Sequence, residues 1–277
     1  MLATLDAHIA GLHHLLVLDP VCAPEDVAAL ARSRYPEAAW ASQDELILEE
    51  HVALTGPWSL DDGVRRDFDL PAWAAQAWVC LVPQVRSGEL PLGLIGTDPL
   101  LDAYPQAVPH GVEMDTLRFL QAAARRLGGA VHLAGTNVVF LPDPQSAVDL
   151  TVYSPDYLSP EAMMATIERE DAQIDGRMRR SWSISMPARP GDPDSGLIQI
   201  IHERQDAPFA ISGLDWAGHS RGTEIRWHPP EDMRGRLRRA QRYLRRDVIH
   251  QVEALARAAV DRTGGVPLDD DGFIVAL

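Results

Sequence analysis

The 277 residues carry 40 acidic side chains against 25 basic ones, a formal charge of −15, and nearly half of the positions are hydrophobic. A chain this acidic lacks the cation excess that general nucleic-acid binding needs, and its length and apolar content suffice for two cores without disulfides or metals. All 25 basic residues are arginine; the missing lysine excludes a GK[ST] phosphate loop, a pyridoxal-phosphate Schiff base and a kinase-type lysine.

With Ala, Pro and Val also abundant, the lysine-free composition reads as that of a high-GC bacterial genome. The first residues, MLATLDAHIAGLHHLLVL, have no basic stretch ahead of the apolar one and carry Asp6. That argues against a secretory signal, and no later apolar run is long enough to span a bilayer, so a cytoplasmic protein without membrane contact is expected. Cys22 and Cys80 stand apart in apolar surroundings and read as free structural thiols.

The first predicted strand is HLLVL from His14. Alternation there sends His13 and His14 to opposite faces, so they cannot share an ion. A helix is predicted from Pro24 to Arg34, because proline suits the first helical position and Glu25 faces the positive end of the helix dipole. Strands follow at Glu45–Val52 and Trp78–Val85, then a Gly/Pro-punctuated stretch to Val108. A helix over Val112–Leu127 ends on Gly128-Gly129, and two short strands close around Gly135. The polar link Pro142–Ala147 leads on.

The order then repeats. DLTVY from Asp149 gives a strand, and Pro160–Asp171 a helix that again opens on Pro-Glu. Strands are predicted at Ser181–Met186, Gly196–His202, Pro208–Leu214 and Thr223–His228, and a helix at Glu231–Arg262. Gly264-Gly265 and an Asp269–Gly272 hairpin turn close the chain.

The repetition has a fixed offset of 136 residues. Residues 122–141 and 258–277, laid together without gaps, agree at seven of twenty positions: Ala122/Ala258, Ala123/Ala259, Arg126/Arg262, Gly128/Gly264, Gly129/Gly265, Val139/Val275 and Leu141/Leu277. The same offset pairs Pro24-Glu25 with Pro160-Glu161, and lays Leu46 and Leu48 over Trp182 and Ile184. We therefore expect an α+β protein of two tandem degenerate copies, residues 1–145 and 146–277. Each would be a two-layer sandwich of order strand-helix-strand-strand(s)-helix-strand-strand, with a mostly antiparallel sheet and its helices on one face. Strands flanking a helix should lie side by side or one apart, and tandem copies suit a pseudo-two-fold arrangement with a shared groove.

Chemistry is harder to place. His202-Glu203-Arg204 follows the most apolar strand, and with Asp215 it offers a general base beside an anion-binding arginine. The plainer reading is a strand end where polar residues begin. His219 and His228 match no zinc spacing, and Asp269–Asp271 lacks the alternation of a calcium loop, so neither metal nor cofactor is expected. The sharpest charge feature is RGRLRRAQRYLRR from Arg234, where Arg234, Arg238, Arg242 and Arg245 stack about a turn apart. Such a ladder suits a protein partner or a small anionic ligand, though intramolecular pairing or simple solvation explains it equally. Trp216 and Trp227 lie in the segments where the copies diverge and suit a recognition surface. The favoured expectation is a binding or regulatory protein, of adaptor or immunity type, using the groove or the arginine-rich helix. The rival is a small hydrolase or isomerase built on His202, Glu203 and Asp215.

Overall fold

The computed structural model describes residues 2–96, 98–233 and 237–277. Two compact units divide at Pro144/Gln145. The protein is mixed α+β, with an antiparallel sheet in each unit.

Unit 1 contains α1 (Ala7–Leu12), β1 (His14–Leu18), α2 (Pro24–Arg34), β2 (Ala39–Trp40), β3 (Glu45–Glu49), β4 (Val52–Ser59), α3 (Asp62–Asp67) and β5 (Gln76–Leu81). It continues with β6 (Arg86–Ser87), α4 (Pro99–Asp102), β7 (Val108–Pro109), α5 (Val112–Leu127), β8 (Ala130–His132) and β9 (Val139–Phe140). Unit 2 contains β10 (Leu150–Ser154), α6 (Pro160–Ile167), β11 (Gln173–Met178), β12 (Ser181–Arg189), β13 (Asp192–Arg204), β14 (Arg221–His228), α7 (Arg239–Thr263) and β15 (Val266–Asp269).

The sheet of unit 1 runs β2-β3-β4-β5-β1-β8-β9, and that of unit 2 runs β11-β12-β13-β14-β10-β15. Strand for strand these are one topology, and a bridge from Leu268 to Ile274 in unit 2 takes the place of β9. The 136-residue offset carries β1 onto β10 residue for residue. It also carries Leu46 and Leu48 of β3 onto Trp182 and Ile184 of β12, all four buried. In each unit the short helix packs on the long one and on the second matched strand: α2 on α5 and β3, α6 on α7 and β12.

The paired glycines do the same work twice. Gly128 and Gly264 end their helices with φ of 65° and 62°, the left-handed conformation that costs glycine nothing. Gly129 and Gly265 let the helix exit press against the first strand. A Cβ on Gly129 would stand 2.6 Å from the Val17 carbonyl oxygen, and one on Gly265 2.6 Å from that of Tyr153.

Several expectations are corrected. Glu45–Val52 is not one strand but the hairpin β3-β4, turning at Glu50-His51, where His51 takes φ of 66°. Pro208–Leu214 is not a strand; its middle, Phe209–Ile211, is a 3₁₀ turn closed by Ile211 N–H to Pro208 O, at 3.1 Å. The long helix starts at Arg239 rather than Glu231, and α6 stops at Ile167, four residues early, on Glu168 with φ of 50°. The strands flanking α2, β1 and β2, are separated by β3, β4 and β5, because the antiparallel run β2-β3-β4-β5, paired hairpin by hairpin, fills the sheet between them.

Unit 1 also covers the far face of its sheet. Leu15, Val17, Ala77 and Val79 pack there with Leu5, Ala10, Leu60 and Val64 from the α1 and α3 segments. Asp6 caps α1 by accepting the His8 N–H, so the residue that argued against a signal sequence starts a helix. In unit 2 the core lies between the sheet and α6/α7, and β10 and β12 show the alternation of sheets with one half-solvated face. No helix among the described residues is long and apolar enough to cross a membrane.

Candidate functional site

The residues of the acid–base reading do not assemble. His202 is fully buried on β13, with Nδ1 2.9 Å from the Thr223 hydroxyl and its ring stacked 5.3 Å from Trp182. Burial, then the Arg221 charge, pushes its pKa down to about 4, so it is a neutral core residue at pH 7. Glu203, the next residue along an extended strand, projects from the opposite face and is exposed. Asp215 is exposed in the turn that follows the Phe209–Ile211 segment.

The start of α7 carries the charge feature. Val248, Val252 and Ala259 are completely buried, with Leu244 and Leu255 nearly so. At about 100° per residue these five span roughly 80° of the helix circumference. Arg239, Arg242 and Arg246 fall roughly 120–180° from the centre of that stripe, and all three are exposed, as is Arg238 just before the helix. Tyr243 lies between them, with the guanidinium of Arg239 5.6 Å and that of Arg246 5.1 Å from its ring centre. Arg239 also donates to the Tyr243 hydroxyl at 3.2 Å. Arg239, Arg242, Tyr243 and Arg246 line, with Gln145, a shallow recess of about 300 Å³. Among the described residues none of Arg238, Arg239, Arg242 and Arg246 has a carboxylate within ion-pair distance.

The predicted ladder is thus redistributed. Arg234 lies outside the described residues. Arg238 and Arg242 are on the surface as expected, and Arg242 reaches back to the Leu237 carbonyl oxygen at 3.3 Å. Arg245 is only 8% exposed. It flanks the apolar stripe by roughly 60° and turns into a second recess, of about 290 Å³, with Asp149, Asp270, Trp227, Met233 and Leu237. Trp227 is a core residue whose backbone N–H donates to Asp149 at 2.8 Å. Trp216 is half-buried beside the 3₁₀ turn Ala217–His219. The acidic turn has an internal use: Asp269 accepts the N–H groups of Asp271 and Phe273 and so shapes its own hairpin. Burial, then the neighbouring Asp149, Asp271 and Asp269 carboxylates, pushes Asp270 up to about 6.

Sequence reasoning missed Arg239 and Arg246, although the apolar spacing of α7 already placed both opposite the buried stripe. It also missed the buried network of unit 1. Glu113 and His14 are both buried, with His14 Nε2 3.1 Å from Glu113 Oε1. Ala134 N–H donates to His14 Nδ1 at 3.0 Å, so the ring proton sits on Nε2 and points at the carboxylate. Arg86 donates to the same oxygen at 2.7 Å, Val85 N–H to the other at 2.6 Å, and the Arg86 guanidinium lies 4.3 Å over Tyr104. Burial alone would raise the Glu113 pKa; the hydrogen bonds from His14, Arg86 and Val85 overcome it and hold the group below the usual range. The Glu113 carboxylate and both nitrogens of the His14 ring are engaged by protein groups, so the network anchors the segment between β5 and α5. No spacing signalled it, since the partners lie 27 and 99 residues apart.

Comparison of the chain with protein families, with curated proteins and with solved structures finds no match.

Proposed function

We propose that the chain is a binding protein, of a regulatory or adaptor kind, and that the exposed arginines at the start of α7 seat an acidic segment of a protein partner. The observation that carries this is the set Arg238, Arg239, Arg242 and Arg246, unneutralised around the exposed Tyr243 in a protein of charge −15. Such a chain has carboxylates in excess, and arginines kept for stability alone would find them. Guanidinium groups beside an aromatic ring suit bidentate contact with carboxylates and packing against apolar side chains between them. Separation of His202, buried, from Glu203, exposed, leaves the hydrolase or isomerase reading without its acid–base pair.

The test is fluorescence anisotropy of a labelled peptide alternating glutamate with aromatic residues, titrated with the whole chain at 50 and 150 mM salt. Arg242→Glu/Arg246→Glu should weaken binding at least tenfold, since each lost charged contact is worth about 1.5–3 kcal/mol. Equal binding by the variant sinks the reading.

A further inference from the structure

A second cluster of four arginines stands elsewhere in unit 2. Arg179, Arg180, Arg204 and Arg221, with His219, Tyr157 and Pro155, line an open recess of about 660 Å³. The topology brings them together. Arg179 and Arg180 form the turn of the β11-β12 hairpin, Arg204 ends β13, Arg221 begins β14, and Tyr157 follows the end of β10. All lie at one end of the sheet, as the pairings Ser154↔Arg221 and Arg204↔Arg221 require.

Three observations make this cluster a site and not a scatter of solvated charge. Arg204 and Arg221 are direct cross-strand neighbours, a like-charge pairing that weakens a sheet. Among the described residues none of the four arginines has a carboxylate within ion-pair distance, and the Arg221 side chain donates only to the Arg180 carbonyl oxygen, at 3.4 Å. The wall is also built. Tyr157 packs edge-on, 5.3 Å from the buried His202 ring, which itself stacks on Trp182, and the Arg221 guanidinium stands 5.7 Å from the Tyr157 ring centre.

We infer that this recess binds a small, multiply charged phosphate compound, with guanidinium groups around two or more phosphoryl groups and Tyr157 as the apolar side. Four guanidiniums exceed what one carboxylate satisfies, and their fork geometry matches phosphate oxygens. Convergence from separate chain segments suits a compact ligand that is held from several sides. The α7 surface, by contrast, is a row along one helix. His202 thereby acquires a role as the support beneath Tyr157. This inference is independent of the α7 reading.

The experiment is calorimetric titration of the whole chain with pyrophosphate, and separately with sulfate, at 150 mM salt. Pyrophosphate should bind at least tenfold more tightly than sulfate. Arg204→Gln/Arg221→Gln should weaken it 10- to 100-fold, from two charged contacts, whereas Arg242→Glu/Arg246→Glu should leave it unchanged. Thermal unfolding without ligand separates binding from folding. Removing a like-charge pair should leave the melting temperature of Arg204→Gln/Arg221→Gln equal to or above that of the parent, the opposite sign to its loss of affinity. No binding up to 10 mM, as an order-of-magnitude ceiling for a site of this charge, overturns the proposal. So does equal affinity in the arginine variant, or sulfate binding as tightly as pyrophosphate.

Discussion

Single buried residues decide how this protein responds to acid. His132 and His202 are 1% and 0% exposed, and burial pushes each down to about 4, His202 with help from Arg221. The unfolded chain takes up both protons near pH 6.5 while the folded chain refuses them, so stability is full above pH 6.5 and falls as the pH drops toward 4. Each residue accounts for roughly 2–3 kcal/mol over that window. Urea unfolding at pH 7.5 and 5 should show the loss, and His132→Phe should flatten its share of the slope; an unchanged slope in that variant removes His132 from the account. Glu113 acts differently, because its carboxylate compensates the mostly buried Arg86 guanidinium. Glu113→Gln keeps the shape and deletes the charge, and should cost about 2–4 kcal/mol in urea unfolding at pH 7. A loss below 1 kcal/mol would make that network incidental.

At the scale of elements, the helix exits are the most exacting positions. Gly265→Ala would drive a Cβ to 2.6 Å from the Tyr153 carbonyl oxygen and 2.7 Å from a Val152 methyl, and Gly129→Ala meets the same obstacle at Val17 and Leu18. Each should cost about 2–4 kcal/mol, read as a drop in melting temperature. Gly264→Ala meets no atom within 4 Å and bears only the left-handed φ, near 1 kcal/mol. A milder effect at Gly265 than at Gly264 would contradict this account of the pair. These glycines were legible in the sequence because both units need them for one local reason, and so were α2, α5 and the alternation of β3 and β12. Elements without that support were not. The edge strand β11 is exposed along its whole length, so no apolar alternation announces it. The six-residue helices α1 and α3 are too short to show a period. The arginine recess was invisible for a related reason: Arg179, Arg204 and Arg221 are strand-end residues far apart in the chain, and only sheet register makes them neighbours.

For the whole molecule, the matched sheet orders imply that each unit closes its own hydrophobic account. The large cluster of unit 2 runs from Val148 and Leu150 through Trp182, Ile198 and Ile225 to Val248, Val252 and Ala259, every member from that unit. The far-face cluster of unit 1 is likewise drawn from Leu5 to Ala130, with Val139 packed against it. Length permits the same conclusion, since chains of about 100–150 residues are the commonest size of independently folding domain. Charge is divided unequally: residues 1–141 hold 18 acidic groups against 8 arginines, leaving 22 against 17 for the rest. The unneutralised arginine clusters at α7 and at the sheet end both belong to the less acidic unit. Residues 145–277 expressed alone should therefore fold, unfolding in one cooperative step by circular dichroism with dispersed amide resonances. Cutting away unit 1, residues 1–144 with Asp143 included, also removes a net charge of −11, so pyrophosphate should bind this fragment at least as tightly as it binds the whole chain. A fragment that is unfolded, or folded but blind to pyrophosphate when the whole chain binds it, would mean that unit 2 depends on unit 1 for more than its place in the sequence.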